Sequence, residues 1–210
     1  MNKEFHFNNV TFKQLSSNDK LTQEQLEEIA DLIYETDEYI YPAFFGDKNN
    51  AKKIIPELFS NNDSMFSYDN LYVAILSNNI VGLILWNKGV LSWKDDLLLK
   101  VVNEKNINIP DSYKLVVDEY LIDYKDVDEN EISILNVSVN KNYQGMKIGY
   151  NMMINFLKDH NENDISLFVL KENDGAINLY KKCSFNIVEE LDGFALGGTV
   201  ECVKMIKSKN

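Results

Sequence analysis

The sequence holds few of the residues that bind metal ions. Its 210 residues include two cysteines, Cys183 and Cys202, and two histidines, His6 and His160. None of these four lies at the short spacing from another that metal ligands usually show. The two cysteines also share no short spacing, and a reducing, cytoplasmic setting suits them best. The sequence therefore predicts no metal site.

Long apolar runs are missing as well. Runs such as LYVAIL, at residues 71–76, are far shorter than the roughly 20 residues that a transmembrane helix needs. The first residues, MNKEFHFNN, lack the apolar core of a secretory signal. We therefore expect a soluble, cytoplasmic protein without a membrane partner.

Basic residues are outnumbered by acidic ones. The chain has 33 acidic and 21 basic residues, which gives a formal net charge of −12. A net charge of this sign opposes non-specific attraction to phosphate backbones and to anionic lipid. We therefore expect no nucleic-acid partner, and the negative charge favours a cationic substrate.

Linkers and repeats are absent too. No stretch rich in proline, glycine or serine divides the chain, and no segment recurs. With 45% apolar and 26% charged residues, the composition is that of an ordinary globular protein. We expect one domain over residues 1–210, with an insertion at about 87–130.

The sequence begins with a predicted strand and a predicted helix. Phe5–Gln14 alternates loosely, as a strand does, and a helix follows in which Thr22 and Gln25 form a capping box. We expect that helix to end near ETDEYIYP, because Pro42 disfavours helical geometry at the residue before it.

A second helix and a hairpin follow. The helix is predicted at Ala51–Phe59, interrupted or started at Pro56. Residues 71–86 are rich in β-branched and aromatic side chains around the turn SNN, which predicts a β-hairpin. Within the insertion, a helix is predicted from about Ser112 to Tyr124.

A strand at residues 132–139 gives the clearest signal of the second half. In ISILNVSV, apolar residues fall at 132 and 134 and then at 135, 137 and 139, so the two-residue period slips between Ile134 and Leu135. A β-bulge produces such a slip, because an extra residue re-aims the side chains that follow it. A central strand buried on both faces would also lack strict alternation. Both interpretations remain open here.

The remaining elements alternate between helices and strands. A helix is predicted to run to about His160, followed by a strand at Ile165–Leu170. Next comes a short helix whose apolar face holds Ala176, Leu179, Tyr180 and Cys183. The segments FNIVEE and TVECVKMI are predicted to form the last two strands.

Two of the nine glycines lie four residues apart, at Gly145 and Gly149 in YQGMKIG, just before a predicted helix. A strand that enters a helix through such a loop points unpaired N–H groups and the positive end of the helix dipole at one place. That place suits a phosphate. The sequence has neither the G-x-G-x-x-G of dinucleotide loops nor the G-x-x-x-x-G-K-[ST] of nucleoside triphosphate loops.

The loop resembles the pyrophosphate loop [QR]-x-x-G-x-[GA] of the GCN5-related N-acetyltransferase (GNAT) superfamily, with Gln144 and Gly149 at its ends. The later segment ENDGAINLYKKCSFNIVEE is similar to that superfamily's second signature, at Asn173, Ala176, Leu179, Tyr180 and Phe185. The resemblance is strongest over about 132–188. Two positions depart from the pattern: Lys147 replaces the first glycine of the loop, and Ser184 replaces the glycine of a Gly-Phe pair.

The resemblance implies an α/β (α+β) fold with a mixed, mostly antiparallel sheet of about seven strands flanked by helices. Two parallel strands, at 132–139 and 165–170, are expected to splay apart around acetyl-coenzyme A. The residues that the resemblance implies in cofactor binding are Val137, Ser138, Val139, Gln144, Gly145, Met146, Lys147, Ile148, Gly149, Tyr150, Asn173 and Tyr180.

The resemblance also implies the chemistry. Tyr180 matches a tyrosine placed near the coenzyme A sulfur and would act as the acid, although a core tyrosine is the alternative. Asn173 suits both a helix cap and a cofactor contact. Some superfamily members carry a glutamate on the bulged strand; Ser133 stands at that position here, and Glu131 precedes it on the same face, so Glu131 is a weak candidate base. Asp37, Glu38 and Glu119 could also line the acceptor side, and a water chain could replace any of these carboxylates.

The expected function is N-acetyl transfer from acetyl-coenzyme A to a primary amine by direct attack in a ternary complex. The acceptor would be a small cationic amine, a polyamine, an antibiotic or a peptide N-terminus, bound by the segment Glu35–Phe45 and the insertion. The alternatives are a non-catalytic module that binds or senses acyl-coenzyme A, and a nucleotide-binding protein of another fold. Since superfamily members are often dimers, a homodimer is open as well.

Overall fold

The computed structural model describes residues 9–62, 64–91, 95–122, 127–195 and 198–209, and the side chains of 119–122, 193–195 and 198–200 lie outside the description. The strands are β1 (Val10–Gln14), β2 (Leu71–Leu76), β3 (Asn79–Lys88), β4 (Ile132–Val139), β5 (Ile165–Leu170), β6 (Asn186–Ala195) and β7 (Gly198–Lys207). The helices are α1 (Gln23–Tyr34), α2 (Ile40–Phe45), α3 (Lys48–Leu58), α4 (Asp95–Glu104), α5 (Tyr113–Ile122), α6 (Ile148–Asp159) and α7 (Asp174–Lys182).

The strands form one seven-stranded sheet in the order β1-β2-β3-β4-β5-β7-β6. Every neighbouring pair is antiparallel except β4 and β5, which are parallel. The α6 helix supplies the crossover that parallel neighbours require. The predicted fold, a mostly antiparallel mixed sheet of about seven strands with one parallel pair, is confirmed.

The start of α1 agrees with the sequence in detail. The Thr22 side chain accepts a hydrogen bond from the N–H of Gln25 at 3.2 Å, and the Gln25 side chain accepts one from the N–H of Thr22 at 3.0 Å. The predicted capping box is therefore present. Of the strand predicted at Phe5–Gln14, the structure has Val10–Gln14, and residues 1–8 lie outside the described part of the chain.

The first helix ends where predicted, at Tyr34 directly before ETDEYIYP, and the helix predicted at Ala51–Phe59 corresponds to α3. The effects predicted for the two prolines were wrong. Pro42 does not keep Tyr41 out of a helix, since both residues lie in the first turn of α2. A proline is tolerated there because the first N–H groups of a helix have no partner within it. Pro56 neither starts nor interrupts α3, which begins eight residues earlier at Lys48, capped by the Asp47 side chain, and ends two residues after it.

The hairpin of β2 and β3 is confirmed, and Ser77 and Asn78 at its turn have positive φ, at 51° and 72°. A two-residue turn with positive φ at both positions matches the twist of the strands it joins. In the segment 87–130, the predicted helix corresponds to α5, but α4 was not predicted, and neither was α2.

Two apolar cores cover the two faces of the sheet. One contains α1, α2, α3 and the buried residues of α4 and α5, and the other contains α6 and α7. The sheet is therefore enclosed by helices on both sides, and β4 lies at its centre. None of the helices in the described ranges combines the length and the apolar character that crossing a bilayer requires.

Candidate active site

The parallel strands β4 and β5 separate partway along their length. They pair only where Ile132, Ser133 and Ile134 oppose Ile165, Ser166 and Leu167. Beyond that point β4 continues to Val139 against β3, and β5 continues to Leu170 against β7. A wedge-shaped cleft therefore opens between the C-terminal halves of the two strands, as predicted.

A β-bulge lies where this cleft begins. In the pairing of β3 with β4, Trp86 opposes Ile134 and Leu85 opposes Asn136, so that Leu135 is an extra residue in β4. The slip in the sequence pattern between Ile134 and Leu135 therefore arises from a bulge. The alternative, a strand that is simply buried on both faces, does not account for this shift in register.

The bulged strand turns part of its backbone toward the cleft. The N–H of Asn140 donates to the C=O of Val81 in β3 at 2.9 Å. Because successive residues of a strand point their N–H and C=O groups to opposite edges, those of Val137 and Val139 face the cleft, and those of Ser138 face β3. The side-chain amide of Gln144 donates to the C=O of Val139 at 3.0 Å from that side.

Asn136, which the sequence analysis did not single out, is buried directly after the bulge and is 9% exposed. The hydroxyl of Tyr41 donates to its Oδ1 at 2.6 Å, and its Nδ2 donates to Oγ1 of Thr36 at 2.6 Å. Thr36 in turn donates to the C=O of Ile33 at 2.6 Å. This chain of hydrogen bonds fastens α2 and the segment before it to the bulge. One sign was present in the sequence: Asn136 is the one amide within the apolar strand ILNVSV.

The glycine loop joins β4 to α6. Gly145 has a φ of +77° and Lys147 a φ of +60°, so both take the left-handed conformation that favours glycine. The structure shows no hydrogen bond from the backbone N–H of any residue in 145–150 to another described residue. These groups, together with the positive end of the α6 dipole, provide donors for an anion.

Close packing holds this loop against the end of β4. A Cβ on Gly149 would lie 3.4 Å from Cγ2 of Val139 and 3.8 Å from Cδ2 of Leu179 on α7. These are ordinary van der Waals distances, so the first turn of α6 lies directly beside both elements and a Cβ would still fit. At Gly145, by contrast, a Cβ would meet nothing within 4 Å, so its glycine serves the backbone conformation alone.

The predicted residues of α7 lie beside this turn. Asn173 caps the helix, since its Oδ1 accepts a hydrogen bond from the N–H of Ala176 at 3.0 Å. Tyr180 is 7% exposed, and its ring lies 6.0 Å from that of Phe185. Burial raises the pKa of the Tyr180 phenol well above its usual value of 10.0, so the hydroxyl keeps its proton at neutral pH.

The candidate carboxylates lie at different places. Glu131 precedes β4 at its closed end, about 13 Å along the strand from Leu135, and its Oε1 is buried without a hydrogen-bond partner. Asp37 accepts hydrogen bonds from the N–H groups of Tyr39 and Ile40, so its carboxylate has a structural role at the start of α2. Glu38 is exposed, and the side chain of Glu119 lies outside the described residues.

Cys183 is the buried cysteine, and it lies at the C-terminal end of α7. Burial raises the pKa of its thiol to about 11. A thiol with so high a pKa is almost entirely un-ionised at neutral pH, and the thiolate is the nucleophilic form. A covalent route through Cys183 therefore has no support from its surroundings.

Comparisons with known proteins were made on the sequence and on the fold. The model of the Acetyltransferase (GNAT) family matches residues 33–185. An N-acetyltransferase structure from Staphylococcus aureus Mu50 has 17% identity and a TM-score of 0.66, with 94% of this chain and 100% of that chain covered. No curated protein matches the chain by sequence.

Two further solved structures share the fold. The ribosomal-protein-S18-alanine N-acetyltransferase from Escherichia coli has 13% identity and a TM-score of 0.54, covering 95% of this chain and 93% of that chain. Arabidopsis thaliana Naa50, in complex with the bisubstrate analogue CoA-Ac-MVNAL, has 18% identity and a TM-score of 0.50, covering 95% and 99%. At these identities the likeness establishes the fold alone.

Proposed function

Because the chain belongs to the acetyltransferase (GNAT) family, we propose that it transfers the acetyl group of acetyl-coenzyme A to a primary amine. The amine attacks the thioester directly within a ternary complex, and the leaving group is the thiolate of coenzyme A. The observation that carries this proposal is the free edge of β4, whose Val137 and Val139 backbones face the cleft beside the glycine loop.

In the proposal, different parts of the cleft bind different parts of acetyl-coenzyme A. In the proposal the unpaired N–H groups of residues 145–150 bind the pyrophosphate at the start of α6. The cleft-facing backbone of Val137 and Val139 pairs with the amides of the pantetheine arm, as a neighbouring strand would. An N–H from this edge can also stabilise the oxyanion that forms when the amine attacks the thioester.

Tyr180 is the proposed acid. Its buried hydroxyl keeps its proton throughout the neutral range, so that it can donate to the thiolate as the thioester breaks. Tyr180→Phe should lower kcat about 100-fold or more while leaving the affinity for coenzyme A nearly unchanged. Tyr68→Phe is the matched control, since that tyrosine packs against Phe59 in the apolar core on the other face of the sheet. Equal loss in both variants would contradict the assignment.

The base in this proposal lies outside β4. None of the eight residues of β4 is ionisable, and Ser133 is buried 3.5 Å from Ser166, Oγ to Oγ. Glu131 is the carboxylate next to β4, but its Oε1 is buried at the closed end, about 13 Å along the strand from Leu135, so it could act only through a chain of water molecules. A Glu131→Gln variant tests it: loss of rate with an altered acid limb of the pH profile would support Glu131, and an unchanged profile would leave deprotonation to water.

The acceptor is proposed to be a cationic primary amine. A net charge of −12 attracts such substrates, and Glu38 is exposed on the segment that precedes α2. Two of the structures with this fold are a ribosomal-protein-alanine N-acetyltransferase and a protein in complex with the bisubstrate analogue CoA-Ac-MVNAL, which supports a peptide N-terminus as one such amine. Polyamines, other small cationic amines and amine antibiotics belong to the same chemical class.

A non-catalytic acyl-coenzyme A sensor is the second candidate. The absence of an ionisable residue along β4 favours it, because a sensor needs no base. A sensor would bind acetyl-coenzyme A as tightly as an enzyme would, yet it would release no free thiol with any amine offered.

The first experiment is a thermal-shift comparison with acetyl-coenzyme A, coenzyme A, ATP and NAD, since a ligand that binds the folded state raises the melting temperature. A rise with the two coenzyme A ligands alone is expected. An amine panel with thiol detection follows and distinguishes enzyme from sensor. A rise with ATP or NAD in place of coenzyme A would refute the proposal.

A further inference from the structure

A second groove lies at the opposite end of the sheet from the proposed acyl-coenzyme A cleft. It has a volume of about 300 Å³ and is lined by residues of α6, of the C-terminal end of α7, and of β7. Lys207 on β7 opposes Ile165, the first residue of β5, where β4 and β5 are still paired. Lys158, which also lines the groove, is ten residues or about 15 Å along α6 from the glycine loop. The groove is therefore separate from the cleft.

Three lysines converge on this groove in a chain of net charge −12. They are Lys158, Lys182 and Lys207. Within the described part of the chain nine lysines form ion pairs with carboxylates, and these three do not, like six others; what sets the three apart is that they line one groove. Lys207 donates only to the backbone C=O of Ser208, at 3.3 Å. The groove thus has three lysines and no carboxylate among its lining residues, on a protein whose net charge is negative.

The rest of the groove is apolar with two small polar groups. Ile154, which is 39% exposed, and Leu157 contribute aliphatic surface beside the lysines. Asn161 and Ser184 add an amide and a hydroxyl. Ser184 has a φ of +69°, a conformation that favours glycine, yet this chain places a serine there. The N–H of Ser184 donates to the C=O of Lys181 at 3.1 Å, and the N–H of Phe185 donates to the C=O of Tyr180 at 3.0 Å, so this φ belongs to the Schellman motif that ends α7. The Ser184 hydroxyl is what this chain adds to the groove at that turn.

We propose that this groove binds a small organic anion with an apolar body, such as an aliphatic carboxylate. The lysines would pair with the carboxylate, and the surface of Ile154 and Leu157 would bury the aliphatic chain. A volume of about 300 Å³ is at the lower end of the range for small-molecule sites. Both lysines on the helices also stabilise helix C-termini, but Lys207 lies on a strand and has no such role.

The test is calorimetric titration of the whole protein with octanoate, and with octanol, octylamine and acetate as comparison probes. Saturable binding of octanoate, with weaker or no binding of the other three, is expected. Saturating coenzyme A should leave octanoate binding unchanged, because the two sites are separate. Equal binding of octanol, displacement of octanoate by coenzyme A, or no binding of octanoate would each overturn the proposal. Tighter binding of a peptide of acidic residues than of octanoate would also overturn it, since the occupant would then be a protein segment.

Two variants locate the site within the groove. Lys182→Gln should weaken octanoate binding roughly three- to tenfold, whereas Lys181→Gln, on the same last turn of α7 but outside the groove, should not. An equal loss of octanoate affinity in both variants would show that only the net charge matters, and it would refute the site. Ser184→Gly should raise the melting temperature and yet weaken octanoate binding, since it removes both the strain and the hydroxyl. Octanoate binding by Ser184→Gly that is as tight as that of the unsubstituted protein would contradict the role of the hydroxyl.

Discussion

Lys147 gives the sharpest test of how the glycine loop is built. It stands where the superfamily's loop pattern has its first glycine, and it takes a φ of +60° and a ψ of 14° directly before α6. A left-handed conformation costs a residue with a Cβ about 1–2 kcal/mol. Glycine relieves that cost but loses about 0.4–1 kcal/mol through its greater freedom in the unfolded chain. Lys147→Gly should therefore stabilise the fold by about 0.5–1 kcal/mol.

The assay is thermal unfolding without ligand, followed by circular dichroism. For a chain of 210 residues, that gain corresponds to a rise of about 1–4 °C in the melting temperature. Lys147→Ala keeps the Cβ and its strain, so it should not share the rise. Gly145→Ala should lower the melting temperature by a similar amount, because a Cβ there meets no atom within 4 Å and only the φ of +77° is at issue. A rise with Lys147→Ala, or none with Lys147→Gly, would refute the strain argument.

The same variants separate two effects of Lys147 on acetyl-coenzyme A. If the ammonium pairs with a phosphate, both variants should lose affinity, by about fivefold at low salt and less at high salt. If instead the Cβ hinders the approach of the pyrophosphate, Lys147→Gly should gain affinity and Lys147→Ala should not. We expect the loss of charge to dominate, because the lysine side chain is exposed beside unpaired N–H groups.

Two further predictions concern buried polar groups. Asn136→Ala removes the Oδ1 that accepts from the Tyr41 hydroxyl and should destabilise the fold by about 1–3 kcal/mol, while Tyr41→Phe should cost about 1 kcal/mol. In urea unfolding, purely additive losses in the double variant would show that the two groups are not coupled. His160 packs against Trp86 and Phe156, and burial lowers its pKa below 6.5. As the pH falls below about 6.5, the unfolded chain binds a proton at His160 before the folded chain does, so the folded state loses stability. His160→Gln should therefore flatten the fall in melting temperature between about pH 7.5 and pH 5.5. An equal fall in the variant and in the unsubstituted protein would contradict this linkage.

Local chemistry explains which elements were predictable from sequence. The capping box at Thr22 and the bulge at Leu135 are signals within a few residues, and both appear in the structure. The α2 helix is different, because it contains Pro42 and its first residues are held by a side-chain oxygen of Asp37 that precedes them. Its formation depends on burying its aromatic residues in the core below α1 and α3, which local propensity does not reveal.

In the candidate site, too, short motifs were predictable from the sequence and contacts between distant segments were not. The glycine loop and the helix cap at Asn173 follow from short motifs, and the structure places them beside the splayed strands. The contact of Asn136 with Tyr41 joins residues 95 positions apart, so the local sequence around neither residue predicts it. The groove near Lys182 likewise combines α6, α7 and β7, which only the folded chain brings together.

Lys147 and Ser184 show what a family motif specifies physically. Both stand where the superfamily pattern has glycine, and both keep a positive φ, at +60° and +69°. The backbone conformation is therefore retained although the residue that favours it has been replaced, at a cost of about 1–2 kcal/mol at each position. Such a conformation persists where the surrounding structure holds it, as the hydrogen bonds at the end of α7 do for Ser184. In our proposals the replacement adds a charge to the glycine loop at Lys147 and a hydroxyl to the lysine-lined groove at Ser184, so the variants at these two positions test whether the departures from the motif have a chemical role.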